Sequence, residues 1–206
     1  MYYLLLDSSN KYLSVGLAND KKKVVDRIFY EAWQRQSEVM VSEIGNILKR
    51  NNLTKDDLEG VVVGIGPGSY TGVRIAITIA KTIAYALKIK VYKVSSLSLL
   101  RNPSKPTICV FNARSGRSYF GCYDGDKVLH EDEVAPNEEV MKYIGEHKDY
   151  LVNGDTNNLD IESSDFDIID NLALGINENN LVNNIFTLDP IYLKDLMKWL
   201  TFVMLL

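Results

Sequence analysis

The sequence has little of the residue types that build metal sites and disulfide frameworks. Its 206 residues include two cysteines, Cys109 and Cys122, and two histidines, His130 and His147. Neither histidine has a second histidine or cysteine at ligand spacing, so metal chemistry built on these residue types is not expected. Both cysteines lie in apolar segments typical of strands, which predicts reduced, buried thiols rather than a disulfide.

A dense basic stripe and a long apolar run are also missing. The net charge is -4, and the cluster Lys21–Lys23 lies between two apolar segments, where a hairpin turn is expected. A direct nucleic-acid surface is therefore not predicted. The chain opens on a strand-like segment rather than a signal peptide, and the apolar run Trp199–Leu206 is too short to span a bilayer. We therefore expect a cytoplasmic protein with no membrane association. Its apolar tail is expected to pack on the body of the protein, and the alternative is that the tail docks on a partner.

Hydrophobic residues make up 46% of the chain, which is enough to bury a core in one domain or two small lobes. The first half alternates segments typical of strands with amphipathic helices. One helix is predicted from Ser37 to Asn51, with Ser37 as its N-cap. The other predicted elements of this half are strands at Tyr2–Asp7, Tyr12–Ala18, Lys23–Tyr30, Val61–Ile65 and Lys90–Val94, and a helix at Thr71–Leu87.

The second half repeats this order of elements. Three strands, a short helix and a further strand are predicted at Thr107–Asn112, Arg117–Tyr123, Lys127–Val134, Glu138–Gly145 and Tyr150–Asn153, and the pattern fades after Asp155. Two halves that open alike predict an internal duplication. The expected fold is α/β, with two ribonuclease-H-like lobes as in actin and sugar kinases: residues 1–101 form the first lobe and residues 102–206 a shorter second lobe.

The densest motif is a glycine-rich loop, Gly64–Arg74, between a buried strand and an amphipathic helix. Ser69 or Thr71 can cap this helix, whose N-terminus attracts anions. The loop is not a P-loop, because no Gly-Lys-Ser/Thr closes it, and it lacks the spacing of the dinucleotide fingerprint. Alternatively, its glycines only let the strand turn tightly into a packed helix. The residues that could contact a phosphate are Asp7, Gly66, Pro67, Gly68, Ser69, Thr71 and Gly72.

This loop resembles the signature of the TsaB family, also called YeaZ, which reads Gly-Pro-Gly-Ser-Phe/Tyr-Thr-Gly-Val/Leu-Arg. Further segments resemble other family motifs in the same order, namely Leu6–Ser9, Val94–Leu97, Asn112–Tyr119 and Asp189–Lys194. The resemblance covers nearly the whole chain and is weakest over residues 155–187. The sequence departs from the family at Gln36, where members often carry histidine, and at Asn112, where aspartate is common.

The resemblance implies a fold of the actin-like ATPase (ASKHA) superfamily and a role in making threonylcarbamoyladenosine at adenosine 37 of tRNA. It implies three partners: the catalytic paralogue TsaD, the ATPase TsaE and, when TsaD is absent, a second copy of the chain. Contact with tRNA would be only indirect. The two long helices of the first lobe would pack against TsaD or the second copy. The residues expected at that interface are Met40, Val41, Ile44, Arg74, Ile75 and Ile79.

Catalysis by this chain has weak support in the sequence. A kinase or ATPase of this fold needs carboxylates from both lobes to hold Mg²⁺, and the chain offers Asp7 but neutral Asn112. No Ser/His/Asp set can be drawn either. We therefore expect a non-catalytic scaffold that binds and activates TsaD, with ATP or ADP and Mg²⁺ held only at the partner interface. The alternatives are a small ATPase or kinase that uses Asp7 and the Gly66–Thr71 loop, and a stand-alone homodimeric regulator.

Overall fold

A computed structural model of the protein describes residues 1–193, and it contains two β-sheets, each covered by helices. The strands of the first sheet are β1 (Tyr2–Asp7), β2 (Tyr12–Asn19), β3 (Val24–Glu31), β4 (Leu58–Gly64) and β5 (Lys90–Val94). They lie in the order β3-β2-β1-β4-β5, in which β1 pairs antiparallel with β2 and parallel with β4. All five strands match predicted segments, because their apolar runs and turn signals are local.

The second sheet is smaller. Its strands are β6 (Thr107–Arg114), β7 (Arg117–Asp124), β8 (Lys127–Pro136) and β9 (Leu151–Gly154). They lie in the order β8-β7-β6-β9, with β6 antiparallel to β7 and parallel to β9. Each sheet thus begins as a three-stranded meander and continues through a helix into a parallel strand. The predicted α/β class is confirmed, while internal duplication and the boundary at residue 101 stay predictions.

Four helices complete the described chain: α1 (Gln36–Arg50), α2 (Tyr70–Leu87), α3 (Asn137–Glu146) and α4 (Ile168–Leu174). The helices α1 and α2 pack side by side on one face of the first sheet. Ser69 caps α2, since its Oγ accepts a hydrogen bond of 3.3 Å from the Gly72 N–H. The prediction of Ser37 as the cap of α1 was wrong, because the helix begins at Gln36 and Arg35 occupies the cap position without a side-chain bond.

The opposite face of the first sheet is covered by α4, which comes from the far end of the chain. Leu5 and Val62 of the sheet share a buried cluster with Ile169 and Leu172 of α4, and Phe111 of the second sheet joins them. One hydrophobic cluster therefore spans both sheets. Part of the chain assigned by sequence to the second lobe packs on the first.

Residues 181–192, here called the C-terminal strap, also return to the first sheet. Val182 N–H donates to the Val91 carbonyl (2.8 Å), which continues the sheet beyond β5, and Ile191 N–H donates to the Ile65 carbonyl (2.8 Å). Between these points, Lys81 of α2 donates from Nζ to the Leu188 carbonyl at 3.1 Å. The strap thus crosses α2. The predicted packing of Trp199–Leu206 lies outside the described residues.

Both thiols are buried and free, as predicted. In the register of β6 and β7, Cys122 lies opposite Ile108 and Cys109 lies opposite Gly121. The two side chains therefore point to opposite faces of the sheet, and this orientation does not allow a disulfide between them. None of the helices within residues 1–193 combines the length and apolar content needed to cross a membrane.

Candidate functional site

Asp7 ends β1 beneath the glycine-rich loop and is only 1% exposed. Its Oδ1 accepts hydrogen bonds from the N–H and Oγ of Ser9 (3.0 and 2.8 Å), and its Oδ2 accepts one from Ser96 Oγ (3.0 Å). Burial raises the pKa of this carboxyl, and the three hydrogen bonds only partly offset that effect. A carboxylate that is buried and bonded in this way braces the loop, so its position does not support the predicted phosphate contact.

The glycines of the loop are required by the packing of the protein itself. A Cβ at Gly68 would overlap the carbonyl oxygen of Ser9, and a Cβ at Gly72 would overlap that of Ser8. Gly66 has φ +92°, a conformation that side chains with a Cβ rarely adopt. The loop therefore lies directly on the turn between β1 and β2, as expected if the glycines serve a tight turn.

Several N–H groups of the loop are already used within the protein. Gly66 N–H donates to Ser96 Oγ at 2.9 Å, Ser69 N–H donates to the Ser9 carbonyl at 2.6 Å, and Gly72 N–H donates to Ser69 Oγ. A phosphate-binding loop points such donors at its ligand. Here these three N–H groups fix the loop to its surroundings instead of pointing at a ligand.

A cleft of about 980 Å³ is lined by residues of both sheets, and we call each sheet, with the helices α1 and α2 on the first and α3 on the second, a lobe. Of the predicted loop residues, Gly68, Ser69 and Thr71 line it, whereas Asp7, Gly66, Pro67 and Gly72 do not. The second lobe contributes Asn112 and Asp155, and Asn112 N–H donates to Asp155 Oδ2 at 3.4 Å. Burial raises the pKa of the Asp155 carboxyl. The sequence analysis did not single out this carboxylate, although it lies two positions after the end of the predicted strand Tyr150–Asn153.

The charges in the cleft do not assemble a metal site. Within the described residues, no three His, Cys, Asp or Glu side chains come together in a way that could hold a metal ion. Lys11 Nζ pairs with Glu31 Oε2 at 3.2 Å, so one cation and one carboxylate of the cleft neutralise each other. Asp7 and Asn112 do not provide the pair of carboxylates, one from each lobe, that Mg²⁺-dependent phosphoryl transfer uses.

The outer surface of α1 differs from the sequence prediction. Met40 is fully buried and Ile44 is 6% exposed, since both pack in the core between α1 and the first sheet. Their assignment to a partner interface was wrong, because a side chain already buried in its own lobe offers no surface to a partner. Val41, in contrast, is 62% exposed and is the accessible apolar residue of this helix.

The interface residues predicted on α2 stay a prediction, but they are more accessible than Met40 and Ile44. Ile75 and Ile79 are half-buried, and Arg74 is exposed. The Arg74 guanidinium lies over the Tyr70 ring, 5.1 Å from its centroid, and Nη1 donates to the Tyr70 hydroxyl at 2.5 Å. We define the helical face as the exposed surface of α1 and α2 that includes Val41, Arg74, Ile75 and Ile79.

Two aromatic pairs border the helical face, and the sequence analysis missed both. Tyr70 stacks on Tyr192 of the strap, with ring centroids 5.2 Å apart. Tyr85 packs edge-on against Phe186 of the strap, with ring centroids 5.8 Å apart. Tyr85 and Phe186 are 67% and 70% exposed. Tyr85 could have been found from its place on α2, but Phe186 reaches this surface only through the long-range path of the strap.

The architecture defines the class of protein. A family model described as TsaD, tRNA N6-adenosine threonylcarbamoyltransferase, matches residues 30–155. The solved structure of YeaZ from Pseudomonas aeruginosa superposes with a TM-score of 0.75 at 20% identity, covering 93% of this chain and 99% of that one. A second structure is described as an uncharacterized protein with similarity to peptidase YeaZ from Pseudomonas aeruginosa. It superposes with a TM-score of 0.80 at 22% sequence identity, covering 94% of this chain and 99% of that one. The chain therefore has the actin-like ATPase fold that TsaD and YeaZ share.

Sequence relatives identify the family within this class. The tRNA threonylcarbamoyladenosine biosynthesis protein TsaB of Bacillus subtilis is 35% identical over 145 residues, which are 68% of this chain and 62% of that protein. TsaB of Buchnera aphidicola is 31% identical over 166 residues, 74% of this chain and 77% of that protein. The match thus spans less than two thirds of the Bacillus subtilis relative. The chain belongs to the TsaB (YeaZ) family.

Proposed function

We propose that this chain is a non-catalytic subunit in the biosynthesis of threonylcarbamoyladenosine at adenosine 37 of tRNA, where it binds TsaD and activates it. Membership of a family whose named relatives are threonylcarbamoyladenosine biosynthesis proteins supports the pathway. In this proposal TsaE docks on the assembled pair, and the chain contacts tRNA only indirectly, through the other subunits. A second copy of the chain takes the place of TsaD when TsaD is absent.

The observation that carries the non-catalytic role is the state of Asp7. This carboxylate is buried and accepts three hydrogen bonds from neighbouring groups, so it does not face the cleft as a metal ligand would. Asn112, at the corresponding place in the second lobe, carries no charge. The chemistry is then supplied by TsaD, and ATP or ADP with Mg²⁺ binds only where the two subunits meet.

The helical face is the surface through which we expect TsaD to bind. Its exposed apolar residue, Val41, lies on the same side of the lobe as the half-buried Ile75 and Ile79, and Arg74 adds a charge beside them. Apolar anchors with charges around them are typical of protein interfaces. Because Ile44 is buried, Ile44→Asp would unfold the lobe and cannot test this interface.

The test uses Val41→Asp, with Val128→Asp as its matched control. Val128 is also exposed and apolar (44%), but it lies on β8 in the second lobe. We expect Val41→Asp to lose co-purification with TsaD and to abolish tRNA modification in a reconstituted assay, as omission of the chain does. Val128→Asp should behave as the wild type.

Three outcomes would contradict the proposal. If Val41→Asp keeps both TsaD binding and tRNA modification, the helical face is not the interface. If the purified chain alone turns over Mg-ATP, and Asp7→Asn removes that turnover, the chain is an enzyme and the ATPase alternative holds. A homodimer that persists in the presence of excess TsaD would instead favour the stand-alone regulator.

A further inference from the structure

The two lobes are joined by residues 95–101, here called the hinge segment, which follows β5 and leads towards β6. Nearly all of its residues are buried. Side chains from elsewhere in the chain bond to its backbone: Asn153 Nδ2 donates to the Leu100 carbonyl (2.7 Å), and Asn171 Nδ2 donates to the Leu99 carbonyl (2.9 Å). Side chains of the second lobe and of α4 therefore both hydrogen-bond to the hinge segment.

The side chain of Asp132 makes the most direct link between the lobes. It lies on β8, at the edge of the second sheet, yet its Oδ2 accepts a hydrogen bond from Ser95 Oγ at the end of the first sheet. Its Oδ1 accepts a hydrogen bond from the hydroxyl of Tyr123 on β7. One carboxylate thus connects the hinge segment with two strands of the second lobe.

The local structure of β8 aims this carboxylate at the hinge. Phe120 pairs with Glu133 and Cys122 pairs with His130, so two residues of β8 face the single residue Gly121 of β7. This is a β-bulge, a device that bends a strand and redirects a side chain. A Cβ at position 121 would overlap Asp132 Oδ1, so the glycine opposite the bulge makes the room that the carboxylate occupies.

The link would be costly to break. Asp132 is half-buried, and the burial raises the pKa of its carboxyl and that of the Tyr123 hydroxyl. Hydrogen bonds to a charged group contribute more to stability than those between neutral groups. If the lobes moved apart, Asp132 would lose the hydrogen bond from the Ser95 hydroxyl.

We propose that Asp132, Ser95 and Tyr123 form an interlobe lock that fixes the angle between the two sheets. Hinged two-lobe proteins close around a ligand because a few residues at the connection absorb the change in backbone angles. Here the connection is buried and bonded to the second lobe at Ser95 and again at Leu100. The cleft and the helical face are consequently held in one arrangement, with or without a partner.

The lock can be tested on the isolated chain by measuring the distance between the lobes. Spin labels are placed on introduced cysteines at the exposed positions Ser42 of α1 and Lys142 of α3, since both native thiols are buried. The labelled chain is diluted with unlabelled chain, so that distances between two copies do not contribute. We expect one narrow distance distribution for the wild type. Ser95→Ala and Asp132→Ala should broaden it and should speed amide hydrogen exchange in the hinge segment by about fivefold or more, as expected from the loss of a buried hydrogen bond.

The control is Glu131→Gln, which changes the neighbouring exposed carboxylate and should leave both measurements as in the wild type. Should Asp132→Ala fail to fold, Ser95→Ala decides, because it removes one donor and leaves the carboxylate bonded to Tyr123. Unchanged distances and unchanged exchange in Ser95→Ala would overturn the lock. Neither readout depends on TsaD, so the result stands apart from the proposed function.

Discussion

Among the individual residues, Asp7 shows how one buried carboxyl can make the free energy of unfolding depend on pH. Its folded-state pKa is raised above the ordinary value of 3.8, mainly by burial. The folded state therefore holds the proton more tightly than the unfolded state does. The contribution of this proton to stability is fully present below about pH 3.8 and is lost as the pH rises through the folded pKa.

This linkage predicts the behaviour of Asp7→Asn, whose amide cannot ionise. As the pH is raised from 4 to 7, the free energy of unfolding of the variant should increase relative to that of the wild type. Urea unfolding at several pH values measures the difference. Asp57→Asn is the opposing control, because hydrogen bonds from Thr54 lower the pKa of Asp57. Its difference from wild type should therefore stay nearly constant between pH 4 and 7 and should change only below about pH 4, where wild type loses the stability that the ionised Asp57 contributes. Parallel pH profiles for Asp7→Asn and the wild type would contradict the assignment.

At the scale of elements, the first turn of α2 can pack on the β1–β2 turn only because residue 72 is a glycine and has no Cβ. Gly72→Ala would push a methyl group into the Ser8 carbonyl, and we expect it to lower the free energy of unfolding by about 2–3 kcal/mol. The matched control is Gly45→Ala on exposed α1, where a Cβ meets nothing within 4 Å. That change should raise stability by about 0.5–1 kcal/mol, because alanine is the better helix former. Equal effects of the two changes in thermal melts would refute the packing role of Gly72.

The elements also show what the sequence could and could not reveal. Strands β1–β9 and helices α1–α3 were predictable because each carries its own periodicity and turn signals. The helix α4 was not, since its seven residues make only about two turns and its packing on the first sheet is a long-range contact. For the same reason the periodicity of α1 placed Met40 and Ile44 on a helix, but could not tell which side of that helix faces the lobe.

The candidate site was predictable only where it is local. The glycine-rich loop, the cap by Ser69 and the exposure of Arg74 follow from neighbouring residues. The burial of Asp7 depends on Ser96, which is 89 positions away, and the pairing of Tyr85 with Phe186 depends on the path of the strap. Contacts between distant parts of the chain decide which residues line the cleft, and such contacts cannot be predicted from the local periodicity of the sequence.

For the whole molecule, the first lobe depends on the end of the described chain. Tyr3, Leu5 and Val62 are covered by the hinge segment and α4, so a fragment of residues 1–101 would leave part of this face open to water. We expect this fragment to bind a hydrophobic dye and to lack a cooperative thermal transition, whereas the full chain melts in one step. A sharp melt of the fragment would show that the first lobe folds without α4.

The return of α4 and the C-terminal strap has a consequence during translation. A ribosome makes β1 among the first residues, but the helix that covers the back of this strand emerges some 160 residues later. Until α4 emerges, the nascent chain therefore presents a bare apolar sheet face, to which chaperones can bind. Synthesis of α4, rather than completion of the first lobe, is then the event that lets the hydrophobic cluster close.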